Sequence, residues 1–233
     1  MKRSWNLFYT QFITYNGYKT VLNGLVATVE IAVLGLIIGI LIGTLIALVK
    51  VMPKYKIMPR ILNRVCDVYV GFFRGTPMVV QLLIGNFVLL PALGIPADGI
   101  TVAIVIFGLN SGAYVSEIMR SGIQSVDSGQ LEAGRALGLT FWTAMIKIVI
   151  PQSIKNILPT LGNEFIVLVK ETSVVSFIAV TDLTKAFRAI GDANYEYVIP
   201  YLMLAAIYLV IVILITVGIR FMERRLKRSD ARK

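Results

Sequence analysis

Residues 132–151 read EAGRALGLTFWTAMIKIVIP and follow the run SGIQSVDSGQ at 121–130. Long apolar segments flank this stretch, yet it carries Arg135, Lys147 and a mixture of glycine and proline. A basic loop of this size between two membrane spans is too patterned to be a linker. SVDSGQLEAGRALG predicts a helix starting at Ser125 or Asp127, with Glu132 near its N-terminus and Gly138 as its breaker. FWTAMIKIVIP predicts a second short helix ended by Pro151. Two readings fit a pair of short helices held against a membrane. One is an amphipathic re-entry anchored by Phe141 and Trp142; the other is a docking element that takes a push from a cytoplasmic partner. A carboxylate in the first helical turn gains about 0.3–1 kcal/mol from the helix dipole in either case.

Composition supplies the membrane. Of 233 residues, 57% are hydrophobic and 15% charged, with mean hydropathy +0.78. Soluble domains have about 45–50% apolar and about 25% charged residues, so the chain reads as an all-α integral membrane protein. The single cysteine, Cys66, excludes an internal disulfide and a cysteine-rich metal site. Histidine is absent, which removes the commonest general base and metal ligand. The net charge of +10 sits beside apolar spans, so it is read as a signal for membrane orientation and not for nucleic acid. MKRSWNLFYTQF at the N-terminus lacks the uninterrupted apolar core of a signal peptide.

Outward from the loop, the chain divides into an interfacial segment at 1–19, a transmembrane domain at 20–221 and a basic tail at 222–233. Trp5, Phe8, Tyr9, Phe12, Tyr15 and Tyr18 suit a helix lying at headgroup depth as a simple anchor. Spans are expected at about 20–49, 66–90, 100–119, 156–180 and 197–219, with the cytoplasmic loop at 121–155. Gly35, Gly39 and Gly43 place a small-residue stripe on the first span. Glu30 within that span is expected to face protein or water. KVMPKYKIMPRILNR (50–64) is read as a basic loop, and FFRGTP (72–77) interrupts the second span. Sixteen basic residues fall on one side and five on the other, which sets the N-terminus out and the C-terminus in.

The spacing in the opening stretch resembles the Glu-Ala-Ala loop of permease subunits of binding-protein-dependent ATP-binding cassette importers. The family pattern maps onto Glu132, Ala133 and Gly134, then Gly138, Ile148, Ile150 and Pro151, with Gly134 and Ile150 replacing an alanine and a leucine. FFRGTPMVVQL (72–82), SGAYVSEIMRSGIQSVDSGQ (111–130) and LPTLGNEFIVLVKETSVVSFI (158–178) are similar to the subgroup that imports polar amino acids. The resemblance runs from about residue 20 onward. It implies a type I importer permease fold and docking of Glu132, Ala133, Gly134, Arg135, Gly138 and Pro151 on an ATPase. It also implies two ATPase subunits, a second permease subunit, identical or homologous, and an extracytoplasmic binding protein, all at the cell membrane. ATP and magnesium would be held by the ATPase, and no cofactor by this chain. No GxxxxGK[ST] sequence occurs, so the chain is expected not to be an enzyme.

An amino acid is a zwitterion, so its site needs an acceptor for the ammonium and a donor for the carboxylate. Candidates are Thr160, Asn163 and Glu164 in the fourth span, Arg74, Thr76 and Gln81 at the interruption, and Ser111, Tyr114 and Glu117 in the third span. Glu164 could take the ammonium and Arg74 the carboxylate, or the two could pair with each other across the bundle. Arg74 could also snorkel to the cytoplasmic side. Lys170, Glu171 and Thr172 suggest an irregular helix or an internal salt bridge. A rival function is an ion-coupled amino-acid transporter using Glu30, Glu164 and Lys170 as a relay. The absence of an internal repeat opposes it. A membrane enzyme lacks a visible active site.

Overall fold

A computed structural model describes residues 2–52 and 57–230, with side chains to 226. Lys54, Lys56 and the tail side chains beyond 226, used above to orient the chain, lie outside the described residues.

Helix α1 (Lys2–Tyr9) leads through a π turn to α2 (Gly17–Val51). Then come α3 (Ile57–Gly75), α4 (Met78–Ile84), α5 (Leu90–Ala92) and α6 (Gly99–Gln124). The short helices α7 (Ser128–Ala136) and α8 (Phe141–Ala144) precede α9 (Ile150–Glu171), α10 (Leu183–Asp192) and α11 (Val198–Asp230). Three helices, α2, α6 and residues 198–226 of α11, are long and apolar enough to cross a membrane. A fourth span results if α3 and residues 78–92, bent by 106° at their junction, count as one.

The α2–α6 pair is the spine. A Cβ on Gly39 would stand 2.6 Å from Ser111 Oγ, and one on Gly43 would stand 2.6 Å from Val115 Cγ1. From the other helix, Gly108 and Gly112 receive Ile38 and Ile42. Small residues let the backbones approach, and the contact area of Ile31, Phe107, Leu82, Val102 and Leu168 fills the core around them.

Two expectations about the loop change. Pro151 does not end a helix: α8, a π turn at Met145–Val149 and α9 run on without a break. Proline cannot donate to the carbonyl four residues back, and the widened turn around residue 147 redistributes those bonds. The same device, a π turn at Gly85–Leu89, precedes Pro91. Glu132 is also not in the first turn of α7; Asp127 caps that helix, its side chain accepting from Gly129 N at 2.7 Å. Gly138 does break the helix, at φ 84°.

The stretch from Ile57 to Arg64 is helical, not loop. The fourth expected span becomes α9 followed by a 3-10 turn at Thr172–Ile178, which is the irregularity that Lys170–Thr172 suggested. Helix α1 is more than a membrane anchor: Phe8 is buried with Val21, Leu183 and Phe187, and Ser4 Oγ donates to Glu196 at 3.1 Å. Asp182 caps α10 by accepting from Thr184 N and Lys185 N; burial pushes its carboxyl up, and those donors oppose the shift.

Candidate functional site

The break between α3 and α4 builds the site. Pro77 has no N–H and stands just ahead of α4, so the helix stops at Gly75 and restarts at Met78. The freed backbone groups are taken up by two buried carboxamides. Gln81 Nε2 donates to Phe73 O at 2.9 Å, Thr76 O at 3.0 Å and Thr76 Oγ1 at 2.8 Å. Asn110 Nδ2, from α6, donates to Phe73 O at 3.1 Å and to Gln81 Oε1 at 2.9 Å. Gln81 therefore braces the turn from behind. Gln81→Leu would strand Thr76 O and the Asn110 N–H that donates to Gln81, leaving Phe73 O to Asn110 alone, and is expected to destabilise the protein by about 2 kcal/mol, read as a lowered thermal midpoint of the purified protein.

In front of the brace lies a cavity of about 320 Å³ lined by Arg74, Gly75, Thr76, Pro77, Met78, Asn110, Tyr114 and Glu171. Its size is at the lower end of small-molecule pockets, about 300–1,000 Å³. Arg74 Cζ sits 5.4 Å from the centre of the Tyr114 ring, a cation–π contact that holds the guanidinium at the cavity instead of letting it snorkel away. One guanidinium, one carboxylate and neutral donors thus share a small concave space at a helix break.

Sequence candidates distribute unevenly around it. Arg74, Thr76 and Tyr114 line it together. Glu164 is buried and accepts from Ser111 Oγ on α6 at 3.1 Å. No ion pair joins Arg74 to Glu164 among the described residues; the cation–π partner replaces the expected one. Nor is an ion pair formed between Lys170 and Glu171, which are neighbours on a helix and point about 100° apart. Glu117 belongs elsewhere: it bonds Lys50 at 2.7 Å and Arg120 at 2.7 Å near the far end of α6.

Thr160 and Asn163 are exposed, on one face of α9 with Gln152, Asn156, Val167 and Lys170. That face is a polar stripe on a helix embedded among apolar ones, and Glu30 on α2 is likewise exposed in the single chain. A larger cavity of about 660 Å³, lined among others by Asp127, Gln152, Asn156 and Glu223, opens at the lower end of the stripe.

Asn110 escaped the sequence reading, and Glu171 entered it only as part of an irregular helix or internal salt bridge. Asn110 is one turn before Tyr114, and Glu171 is two turns after Glu164, so helical spacing from known candidates was the available signal.

At the opposite end of the molecule from α10, the short helix α7 presents Glu132, Ala133 and Arg135 outward, while Gly134 is buried. A Cβ there would come within 2.8 Å of Ile148 Cδ1, so the departure from alanine lets α7 pack on the π turn.

A bundle of apolar helices, a broken helix with a charged polar cavity and an outward-facing short helix define a membrane transport component. The chain belongs to the family of binding-protein-dependent transport system inner membrane components, whose model matches residues 35–228. It is 40% identical over 210 residues to the arginine transport system permease protein ArtQ of Bacillus subtilis, covering 90% of this chain and 94% of that one. The L-cystine transport system permease protein TcyB of the same organism is 40% identical over 174 residues, 74% of each chain. A crystal structure of an amino acid ABC transporter with histidines matches with TM-score 0.83 at 40% identity, over 93% of this chain and 98% of that one.

Proposed function

We infer that this chain is the membrane-spanning permease subunit of an ATP-driven importer of polar amino acids in the cytoplasmic membrane. The observation that carries the reading is the cavity in which Arg74 and Glu171 face one small space at the break of a membrane helix. Arg74 holds the substrate carboxylate, Glu171 its ammonium, and Thr76, Asn110 and Tyr114 supply neutral contacts. Family membership and the amino-acid transport proteins it resembles support the same assignment.

Five spans, with the N-terminus outside and the C-terminus inside, follow if α9 crosses as well. Its polar stripe at Thr160, Asn163 and Lys170 cannot face hydrocarbon cheaply. A second permease subunit covers that stripe, and the two enclose the path. Residues 1–19, 20–221 and 222–233 then serve as outer cover, transport domain and cytoplasmic tail. An extracytoplasmic binding protein delivers substrate, and separate ATPase subunits bind ATP and magnesium and take hold of the loop 121–155. Closure of the ATPase pair moves α7, and the site is exposed alternately to each side.

Reconstitution in vesicles tests this. Uptake of radiolabelled L-arginine or L-cystine should require the ATPase subunits and the binding protein, and should survive collapse of ion gradients by ionophores. Uptake that needs no ATPase and disappears with the gradient would establish the ion-coupled alternative. Arg74→Gln should lower uptake at least about tenfold, because a desolvated carboxylate loses its charged partner.

A further inference from the structure

Helix α3 ends at the proposed substrate cavity, and about two turns before that end an ionic contact outside the cavity also holds it. Lys50 Nζ, at the end of α2, stands 2.7 Å from Glu117 Oε1 on α6 and 3.2 Å from Asp67 Oδ1 on α3. The Lys50 side chain is only 9% exposed, against 53% for Asp67. Glu117 is further fixed by two bonds from Arg120, at 3.0 Å and 2.7 Å. Lys50, Glu117 and Arg120 are therefore one unit with the glycine-packed α2–α6 spine, and Asp67 is the point at which α3 is tied to it by charge, beside the neutral bonds from Tyr69 Oη to Leu109 O at 2.5 Å and from Asn110 Nδ2 to Phe73 O at 3.1 Å. Asn63 Nδ2, one turn earlier, orients the Asp67 carboxylate at 2.7 Å.

Asp67 and Arg74 are seven residues apart, so they project from the same side of α3. The buried side of α3, formed by Tyr69, Val70 and Phe73, lies beside them. Packing and the Tyr69 and Phe73 hydrogen bonds on that side fix the helix against the spine, and a contact off that side restrains its roll about its own axis further. Asp67 supplies that contact. With side-chain heads about 5–6 Å from a helix axis, a roll of about 20° would carry the Arg74 guanidinium about 2 Å from its place over Tyr114. Displacement on that scale is enough to spoil recognition of a carboxylate.

We propose that Asp67, held by Lys50, is a positioning residue that sets the direction of Arg74 in the substrate cavity. The proposal rests on the reading of that cavity as the amino-acid site. It is tested by titrating L-arginine and L-cystine calorimetrically into the purified permease–ATPase complex. Asp67→Asn should weaken binding of the amino acid that the wild type takes by about tenfold, with the basal ATPase rate and thermal midpoint unchanged, and Asp67→Glu should restore it. In an Arg74→Gln background, Asp67→Asn should cause no further loss, since it acts through the group already removed.

Each other outcome is decisive. Unchanged affinity in Asp67→Asn, or an additive loss in the Arg74→Gln background, overturns the positioning role while the cavity reading stands. A fall in thermal midpoint that accounts for the weakened binding assigns Asp67 to stability alone and also overturns it. Undiminished binding in Arg74→Gln, or no binding of either amino acid to the wild type, overturns the cavity reading and this proposal with it.

Discussion

Gly43→Leu is expected to prevent assembly of the helix bundle, the largest effect of any single substitution proposed for this chain. A Cβ at residue 43 would stand 2.7 Å from Val115 Cβ and 2.8 Å from the backbone nitrogen of Ser116. The far end of a flexible side chain can move aside; a Cβ and a main-chain nitrogen on a membrane helix move only with the helix. Leucine therefore forces α2 and α6 apart and opens the layer formed by Gly35, Gly39 and Gly43 against Phe107, Ser111 and Val115. Overpacking of a well-filled core costs about 1–3 kcal/mol. Here the separated helices also forfeit neighbouring contacts, so a loss of about 4 kcal/mol or more is expected. Gly218→Leu is the control, because a Cβ at Gly218 meets nothing within 4 Å. The yield of monodisperse protein in detergent should collapse for Gly43→Leu and hold for Gly218→Leu. Equal yields would mean that α2 and α6 are not packed through glycine.

Why the spine was legible and the cavity only partly so follows from how each is encoded. Glycine at every fourth residue of an apolar run writes a helix face directly into the sequence, and Gly35, Gly39 and Gly43 do pack against α6. The break at Gly75–Pro77 is also local chemistry, readable from the missing N–H of proline. What fills the break is not local. Gln81 and Asn110 stand 29 residues apart and meet only because α4 folds back on α6. Seen singly, a glutamine at a helix interruption is as good a ligand as a brace. The partner of Arg74 was similarly hidden. Sequence order offers Glu164 as the opposite charge, but the fold gives Glu164 to Ser111 and leaves Arg74 to Tyr114.

Proline shows the opposite limit of local reasoning. Pro151 carries a valid stop signal, but a π turn of five residues absorbs it and the helix continues into α9. The consequence reaches function. Because α8, the π turn and α9 are continuous, the proposed movement of α7 against Ile148 would be passed to the helix that carries Glu171. A hinge at Pro151 would have let the loop move alone.

Glu132→Lys should separate the stability of the chain from its coupling to the ATPase. Glu132 is exposed on α7, and no hydrogen bond or ion pair holds it among the described residues. A surface substitution without partners changes stability by about 0.5 kcal/mol or less, so the thermal midpoint of the isolated permease should hardly move. In the assembled importer the same carboxylate is expected to be enclosed by donors of the ATPase. Reversing a charge in such a contact costs about 2–5 kcal/mol, or roughly 30-fold to several thousand-fold in the coupling equilibrium. Substrate-stimulated ATP hydrolysis and uptake should fall together by at least about 30-fold, while L-arginine or L-cystine binding by the permease stays intact. Glu132→Gln should fall between, keeping the shape and losing the charge. If both activities persist in Glu132→Lys, the exposed carboxylate is not the point where the ATPase grips. The force would then have to enter through another part of α7, with Arg135 the nearest exposed charge.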